Sequence, residues 1–167
     1  MPEKQTVERA RRDKRQGKAA STQAGEFVKE EMDHIREGKH GARSARQAIA
    51  VGLSKARRSG VELKPPRGGS EKTRKSAARD YARGHGAPAR RKSTAKRVRA
   101  STQALKRESK SAASHQALAK QTHSAAKRRS ASSRSAAARK AVRTKGPAER
   151  SAAARKAARA RQAHTAA

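Results

Sequence analysis

The stretch that decides the fold is STQAGEFVKEEMDHIREGKHGARSARQAIAVGLSKARRSG, which runs from residue 21 to residue 60. Its first half has apolar residues at the three- and four-residue spacing of one helix face, namely Ala24, Phe27, Val28, Met32 and Ile35. Ser21 or Thr22 can cap the start of this helix, and Gly38 can end it. The pattern therefore predicts an amphipathic helix over residues 21–38.

The second half of the stretch predicts another helix, which begins at a capping box. Ser44 is followed three residues later by Gln47, the arrangement in which each side chain bonds the other's backbone. The apolar face of this helix would carry Ala45, Ala48, Ile49, Gly52, Leu53 and Ala56. Gly60 ends the helix, and the short link GKHG at 38–41 turns the chain back. We therefore expect an antiparallel helical hairpin.

The charges of the two helices support this pairing. Residues 21–38 carry five acidic and two basic side chains, whereas residues 43–60 carry five basic side chains and no acidic one. The acidic helix should therefore lie against the basic one. Burial of the few large apolar side chains is too small to order the hairpin alone, so a homodimer or a protein partner bound through the hairpin is expected to complete it.

The chain changes character after Leu63. Residues 1–64 hold 16 Lys/Arg and 9 Asp/Glu, a net charge of +7, while residues 65–167 hold 29 and 4, a net charge of +25. Large apolar residues become rare in the same place, so the second part cannot build a core. We expect a mostly α protein with extensive disorder, in which a small antiparallel hairpin precedes a long basic low-complexity tail with transient helices.

Four segments follow from these changes in composition. They are a charged N-terminal segment at 1–19, the hairpin domain at 20–64, a linker rich in Pro, Gly and basic residues at 65–100, and an Ala/Arg/Lys-rich tail at 101–167 that is disordered or conditionally helical. A short helical candidate at 70–83 lies inside the linker.

The tail contains an internal repeat and several clusters of basic residues. RSAAARKAVR at 134–143 recurs as RSAAARKAAR at 150–159, and Gly146 and Pro147 separate the two copies. Clustered cations suit contacts to phosphates, which position a protein on nucleic acid without reading its sequence. The predicted nucleic-acid-binding residues are Arg90, Arg91, Lys92, Lys96, Arg97, Arg99, Lys127, Arg128, Arg129, Arg139, Lys140, Arg143, Arg155, Lys156, Arg159 and Arg161.

The second hairpin helix offers a further set of basic residues outside its apolar face. These are Arg43, Arg46, Lys55, Arg57 and Arg58, which we predict as secondary nucleic-acid contacts. Such a helix could enter a DNA groove, as in a helix-turn-helix protein, but no third packed helix is evident from the pattern.

Other chemistries have weaker support in the sequence. Single-strand binders stack bases on aromatic residues, and this chain has only Phe27, which fits the core, and Tyr81. Six histidines, at 34, 40, 85, 115, 123 and 164, show no metal-ligand spacing, and there is no cysteine. We find no catalytic constellation, so we predict neither an enzyme nor a cofactor, a metal site or a small-molecule substrate.

Two parts of the chain resemble known groups of proteins. The first 66 residues, above all the stretch containing QAIAVGLSKAR at 47–57, resemble an uncharacterised family of small basic bacterial proteins with a domain of unknown function. This resemblance implies a bacterial cytosol and no catalytic residues. The tail is similar in composition to the Lys- and Ala-rich arms of bacterial histone-like and linker-histone-like proteins, which implies DNA binding.

The function expected from the sequence is DNA binding without sequence specificity, as histone-like compaction or bridging in the nucleoid or on a plasmid. An RNA- or ribosome-associated basic factor is the alternative, since structured RNA offers the same phosphates. A membrane-surface role ranks last, because the tail lacks the large apolar residues of an amphipathic anchor. No signal-peptide pattern is present at the N-terminus, so we expect a cytoplasmic protein.

Overall fold

The computed structural model describes residues 2–88, 94–144 and 146–165, and α-helices account for most of this part of the chain. The helices are α1 (Lys4–Arg15), α2 (Ala20–Arg36), α3 (Ala45–Arg58), α4 (Glu71–Gly84), α5 (Ala95–Arg107), α6 (His115–Lys127), α7 (Ala131–Thr144) and α8 (Pro147–Thr165). A 3-10 helix, Lys110–Ala113, lies between α5 and α6. The described residues contain no strand. The chain divides into two units, residues 1–121 and 122–167.

The two predicted hairpin helices are confirmed as α2 and α3. The predicted cap of the first helix by Ser21 or Thr22 is wrong, because α2 begins at Ala20 after Ala19, which has no capping side chain. Ala48 shares a core cluster with Met32 and Ile35, whereas Ala56 shares another with Ala24 and Phe27. The start of α3 therefore packs against the end of α2, and the end of α3 packs against the start of α2, so the two helices are antiparallel.

The start of α3 is fixed by the predicted cap. The Ser44 hydroxyl accepts a hydrogen bond from the Gln47 backbone N–H at 3.2 Å. The reciprocal bond differs from the expected one, because the Gln47 side chain accepts from the backbone N–H of Arg43, at 2.9 Å, rather than from that of Ser44. Two of the otherwise unpaired backbone donors at this helix end are thereby satisfied.

Other parts of the chain cover the hairpin. Helix α1 packs on α2 and contributes Ala10 to the cluster around Phe27, while α4 packs on α3 and buries Ala77. The 3-10 helix packs on α2 and α3, where Ala112 and Ala113 close the cluster around Ile35. Much of the burial that the hairpin needs is therefore supplied by small side chains of the same chain.

The residues just before the 3-10 helix are joined to the hairpin loop by backbone hydrogen bonds. Gly41 N–H donates to the carbonyl of Leu105 at 2.9 Å, and Ala42 N–H donates to that of Ser109 at 3.0 Å. A Cβ on residue 41 would overlap the carbonyl of Glu108, so only glycine permits this approach. The loop between the hairpin helices is thus joined to a segment more than sixty residues later.

The prediction of extensive disorder with transient helices is wrong, because five of the eight helices, α4 to α8, lie beyond residue 65. Ala, Arg and Lys favour helix even where no core is available. Helix starts in this part are also capped by hydroxyl side chains, which accept backbone bonds two or three residues on: Ser70, Thr94, Ser109, Ser114 and Ser130. The short candidate at 70–83 is confirmed as α4.

No helix among the described residues has the length and apolar character that crossing a membrane requires.

Candidate nucleic-acid interface

The two copies of the repeat occupy equivalent places on α7 and α8. In α7, Arg139 and Arg143 are one helical turn apart, with Lys140 between them. The second copy places three cations in the same pattern on α8: Arg155, Lys156 and Arg159. All six side chains are exposed, and α7 contains no buried residue. Each copy therefore presents a three-cation patch to solvent.

The patches of this unit have almost no acidic neighbours. Residues 122–167 contain 13 Lys/Arg and a single acid, Glu149, which gives a net charge of +12. The ion pairs found among the described residues all lie between residues 3 and 85. The six patch cations of α7 and α8 thus have no carboxylate partner in the described part of the chain and are available to an external anion.

The predicted cluster Lys127, Arg128 and Arg129 lies at the junction of α6 and α7 and is exposed. Arg129 donates to the hydroxyl of Ser133 at 3.2 Å, and Arg134 donates to the carbonyl of Arg129 at 2.9 Å. These partners are uncharged, so neither hydrogen bond pairs a guanidinium group with a carboxylate.

The remaining predicted residues divide into described and undescribed ones. Lys96, Arg97 and Arg99 are exposed on α5, a helix that has no buried residue. Arg90, Arg91 and Lys92 lie outside the described residues. The backbone of Arg161 belongs to α8, but its side chain is likewise outside the described part.

The structure separates the five secondary candidates, of which four lie on α3 and one, Arg43, lies just before it. Arg43, Arg46 and Arg58 are exposed, and Arg58 lies 3.9 Å from Asp80. Arg57 is buried and donates to the carbonyl of Leu63 at 3.1 Å. The fifth residue, Lys55, faces α2, where carboxylates bind it.

Lys55 bridges two buried glutamates. Its ammonium lies 3.1 Å from Oε1 of Glu30 and 2.7 Å from Oε2 of Glu31, whose side chains are only 1% and 3% exposed. Burial alone would raise the pKa of Glu30, but hydrogen bonds from Thr6, from the backbone N–H of Glu3 and from Lys55 outweigh it and lower that pKa. The predicted pairing of acidic side chains of α2 with basic side chains of α3 is therefore present, and at this position it is buried.

A basic groove between α1 and α3 was not predicted. It encloses about 640 Å³ and is lined by Lys4, Arg11 and Arg58, with Glu8 as the acid in its lining. Helix α1 reaches this position because Thr6, Ala10 and Asp13 are buried beneath it. The spacing of these three small or short side chains was the available signal, although none of them is strongly apolar.

A second unpredicted grouping contains metal-ligand side chains. Glu31, His34 and His40 each direct a ligand atom to within 4.8 Å of the others' ligand atoms. The spacing of the histidines in the sequence did not reveal this cluster, because His40 comes close to α2 only when the hairpin turn forms.

Tyr81 also has a defined position. Its ring stacks on that of His85 with centroids 4.0 Å apart, and its hydroxyl donates to Glu62 at 2.7 Å. One face of the ring is therefore covered by a neighbour of the same chain. Phe27 lies in the core, fully buried, as predicted.

Comparison of the chain with protein-family models, with curated proteins and with solved structures gives no match. The described residues form a helical protein whose helices α5, α7 and α8 carry exposed basic side chains.

Proposed function

We propose that the protein binds nucleic acid, chiefly duplex DNA, without reading its sequence. The observation that carries this proposal is the pair of equivalent three-cation patches on α7 and α8, which are exposed and lack carboxylate partners among the described residues. The cations of such a surface repel one another until a polyanion neutralises them. Nucleic acids are polyanions with closely spaced charges.

Binding would proceed by charge neutralisation. Arg139 and Arg143 are separated by about one turn, which is roughly 5.4 Å along the helix axis, so both can contact phosphates of one backbone. Each neutralised phosphate releases condensed counterions, and this release supplies the affinity. Arginine adds planar, two-pronged hydrogen bonding to phosphate oxygens, and arginine outnumbers lysine in this chain by 27 to 18.

The exposed basic helices offer little support for recognition of a particular DNA sequence. Direct readout requires side chains held rigidly against base edges, and α7 packs no buried residue against a core. The described aromatic rings are buried or stacked within the chain, as Phe27 and Tyr81 show, so base stacking is also unsupported.

The physiological role that fits this binding is compaction or bridging of DNA in the nucleoid or on a plasmid. Cations are exposed in both units, on α5 in one and on α7 and α8 in the other, so one chain offers several contact regions. Several contact regions on one chain are what bridging requires, because linked contacts raise the effective concentration of the second duplex.

A competition experiment tests the choice of nucleic acid. The full-length protein is bound to a labelled duplex and challenged with an unlabelled unrelated duplex or with structured ribosomal RNA of equal nucleotide mass. We expect the unrelated duplex to displace the label as well as the unlabelled parent duplex does, and RNA to compete less well. Preferential displacement by RNA would assign the basic surface to an RNA- or ribosome-associated factor instead.

A further inference from the structure

The turn of the hairpin brings together three side chains that can ligate a metal. Glu31 and His34 are one turn apart on α2, and His40 returns to them from the link before α3. Their ligand atoms lie within 4.8 Å of one another. The Glu31 side chain is only 3% exposed, and those of His34 and His40 are 14% and 18% exposed. The group is thus partly shielded from water.

The hydrogen bonding of His40 shows what this group lacks. Nδ1 of His40 is 3.1 Å from the carbonyl oxygen of Gly41, and Nε2 is 3.2 Å from Oε1 of Glu31. Both oxygens can only accept, whereas a neutral imidazole has one N–H to donate. A neutral His40 that donates to Gly41 therefore turns the lone pair of Nε2 toward a carboxylate. A metal cation between these two atoms could be bound by both of them.

The surroundings of Glu31 favour a divalent cation in this place. Its second oxygen, Oε2, is ion-paired with Lys55, which is shared with the carboxylate of Glu30. Next to them, Nε2 of His34 is 2.8 Å from Oε1 of Glu3, which also binds Lys39. Glu3, Glu30 and Glu31 thus share two ammonium groups, those of Lys39 and Lys55, and Lys39 also pairs with Glu37.

We propose that Glu31, His34 and His40 form a zinc-class metal site that fixes the hairpin turn to α2. Two imidazoles and a carboxylate are a donor set that zinc accepts, and the bond from Nδ1 of His40 to a backbone carbonyl is the usual outer support of such a ligand. Atoms bound to one tetrahedral zinc ion lie about 3.4 Å apart. Nε2 of His40 and Oε1 of Glu31 are already 3.2 Å apart, and the other pairs, which lie within 4.8 Å, would close by no more than about 1.4 Å.

His85 provides the matched control. Its Nδ1 also contacts a carbonyl, that of Tyr81, and its Nε2 also contacts a carboxylate, that of Glu62. No second histidine or glutamate joins that contact among the described residues, and the group is exposed. Because the contact between His85 and Glu62 lacks a third ligand, we expect that it does not bind zinc.

The test uses full-length protein freed of nucleic acid in high salt and treated with a chelator. Zinc chloride is added during isothermal titration and thermal unfolding, and cobalt(II) is added as a visible-absorption probe. We expect one equivalent to bind, raise the unfolding temperature and give the absorption of low-symmetry cobalt. His34→Gln and His40→Gln should each weaken binding about tenfold or more, and His85→Gln should leave it unchanged.

Three outcomes would overturn the site. These are the absence of zinc binding, equal weakening by His85→Gln, or binding that does not depend on His34 and His40. Magnesium chloride serves as the ion control, because it prefers oxygen ligands and should not compete. None of these outcomes depends on nucleic-acid binding.

Discussion

At the scale of single residues, Gly52 of α3 lies directly against the backbone of α2. A Cβ at this position would lie 2.7 Å from Cα of Val28 and 3.0 Å from the carbonyl oxygen of Phe27. We expect Gly52→Ala to lower the free energy of unfolding by about 1–3 kcal/mol, because the two helices must separate to admit the methyl group. Chemical denaturation followed by circular dichroism measures this change.

Gly25 is the matched control for this prediction. It lies exposed in α2, and a Cβ there would meet nothing within 4 Å. Gly25→Ala should raise the free energy of unfolding by about 0.5–1 kcal/mol, since alanine is the better helix former. If both substitutions stabilised the protein, the close approach of the helices at Gly52 would be disproved.

Lys55 is ion-paired with two buried carboxylates, so its charge should contribute strongly to the free energy of unfolding. Lys55→Met leaves Glu30 and Glu31 without their shared cation, and we expect the free energy of unfolding to fall by about 3–5 kcal/mol. Lys29→Met, at an exposed position of the same helix pair, should change it by no more than about 0.5 kcal/mol. Equal denaturation midpoints for the two variants would contradict the buried bridge.

At the scale of secondary-structure elements, His85 joins the end of α4 to the link after α3. The carbonyl of Tyr81 and then the carboxylate of Glu62 raise the pKa of His85 above its usual 6.5 by bonding to the protonated ring. The stabilisation by His85 is therefore complete below pH 6.5 and is lost as the pH rises through the raised pKa of the folded protein.

A nuclear magnetic resonance titration of the histidine rings tests this interaction. Glu62→Gln should move the pKa of His85 downward, because the ring loses a charged acceptor. Glu71→Gln, which changes a carboxylate at the other end of α4, should leave it unchanged. An identical titration of His85 in the wild type and in Glu62→Gln would show that the carboxylate does not act on the ring.

The two repeat helices should contribute equally to nucleic-acid binding. Replacing Arg139, Lys140 and Arg143 by Gln removes three charges from α7 and keeps residues that favour helix. The same change at the equivalent positions of α8 should weaken duplex binding to a similar extent, measured by fluorescence anisotropy at fixed salt. Each triple variant should also flatten the salt dependence by up to about 3 in slope.

Serines at equivalent positions of the repeats give the uncharged control. Ser135→Ala combined with Ser151→Ala changes both helices without removing a cation and should leave duplex affinity unchanged. A loss of affinity in only one of the two triple variants would show that the copies of the repeat do not contribute equally.

At the scale of the whole molecule, binding should be strongly dependent on salt. If about ten phosphates are engaged at once, the logarithm of the affinity falls against the logarithm of the salt concentration with a slope near about −9. A fourfold rise in salt then costs roughly five powers of ten in affinity. Anisotropy titrations over a range of sodium chloride concentrations measure this slope.

Unrelated duplexes of equal length should bind with affinities within a few fold of one another, because phosphates are common to all of them. A shallow slope together with strong preference for one duplex would mean that base edges are being read. The proposal of binding without sequence specificity would then be abandoned.

The hairpin was predictable because its signals are local. The apolar spacing from Ala24 to Ile35 and the cap at Ser44 act within a few residues, and both appear in the structure at the expected places. Beyond residue 65 only α4 was predicted as a helix, and α5 to α8 were expected to be disordered or transient, because the absence of a core was given more weight than the local preference of Ala, Arg and Lys for helix. The hydroxyl caps at Ser70, Thr94, Ser114 and Ser130 were local signals of the same kind.

The packing around the hairpin was not predictable from the pattern. Ala10, Ala112 and Ala113 are small and lie among charged and polar residues, so their hydrophobicity does not mark them as buried. Their burial depends on long-range fit, such as the bonds that join Gly41 and Ala42 to Leu105 and Ser109. The basic groove beside α1 was missed for the same reason.

The sequence by itself determined the charge of +32, the antiparallel hairpin and the cationic repeat, because each depends on composition or on neighbours within one or two helical turns. Only the tertiary structure decided which charges remain outside. Arg57 is buried, and Lys55 forms ion pairs with two buried glutamates. The patch cations of α7 and α8 are exposed to solvent. The tertiary structure also brings His40 to Glu31 and His34, since residues on opposite sides of a turn meet only when the two helices pack.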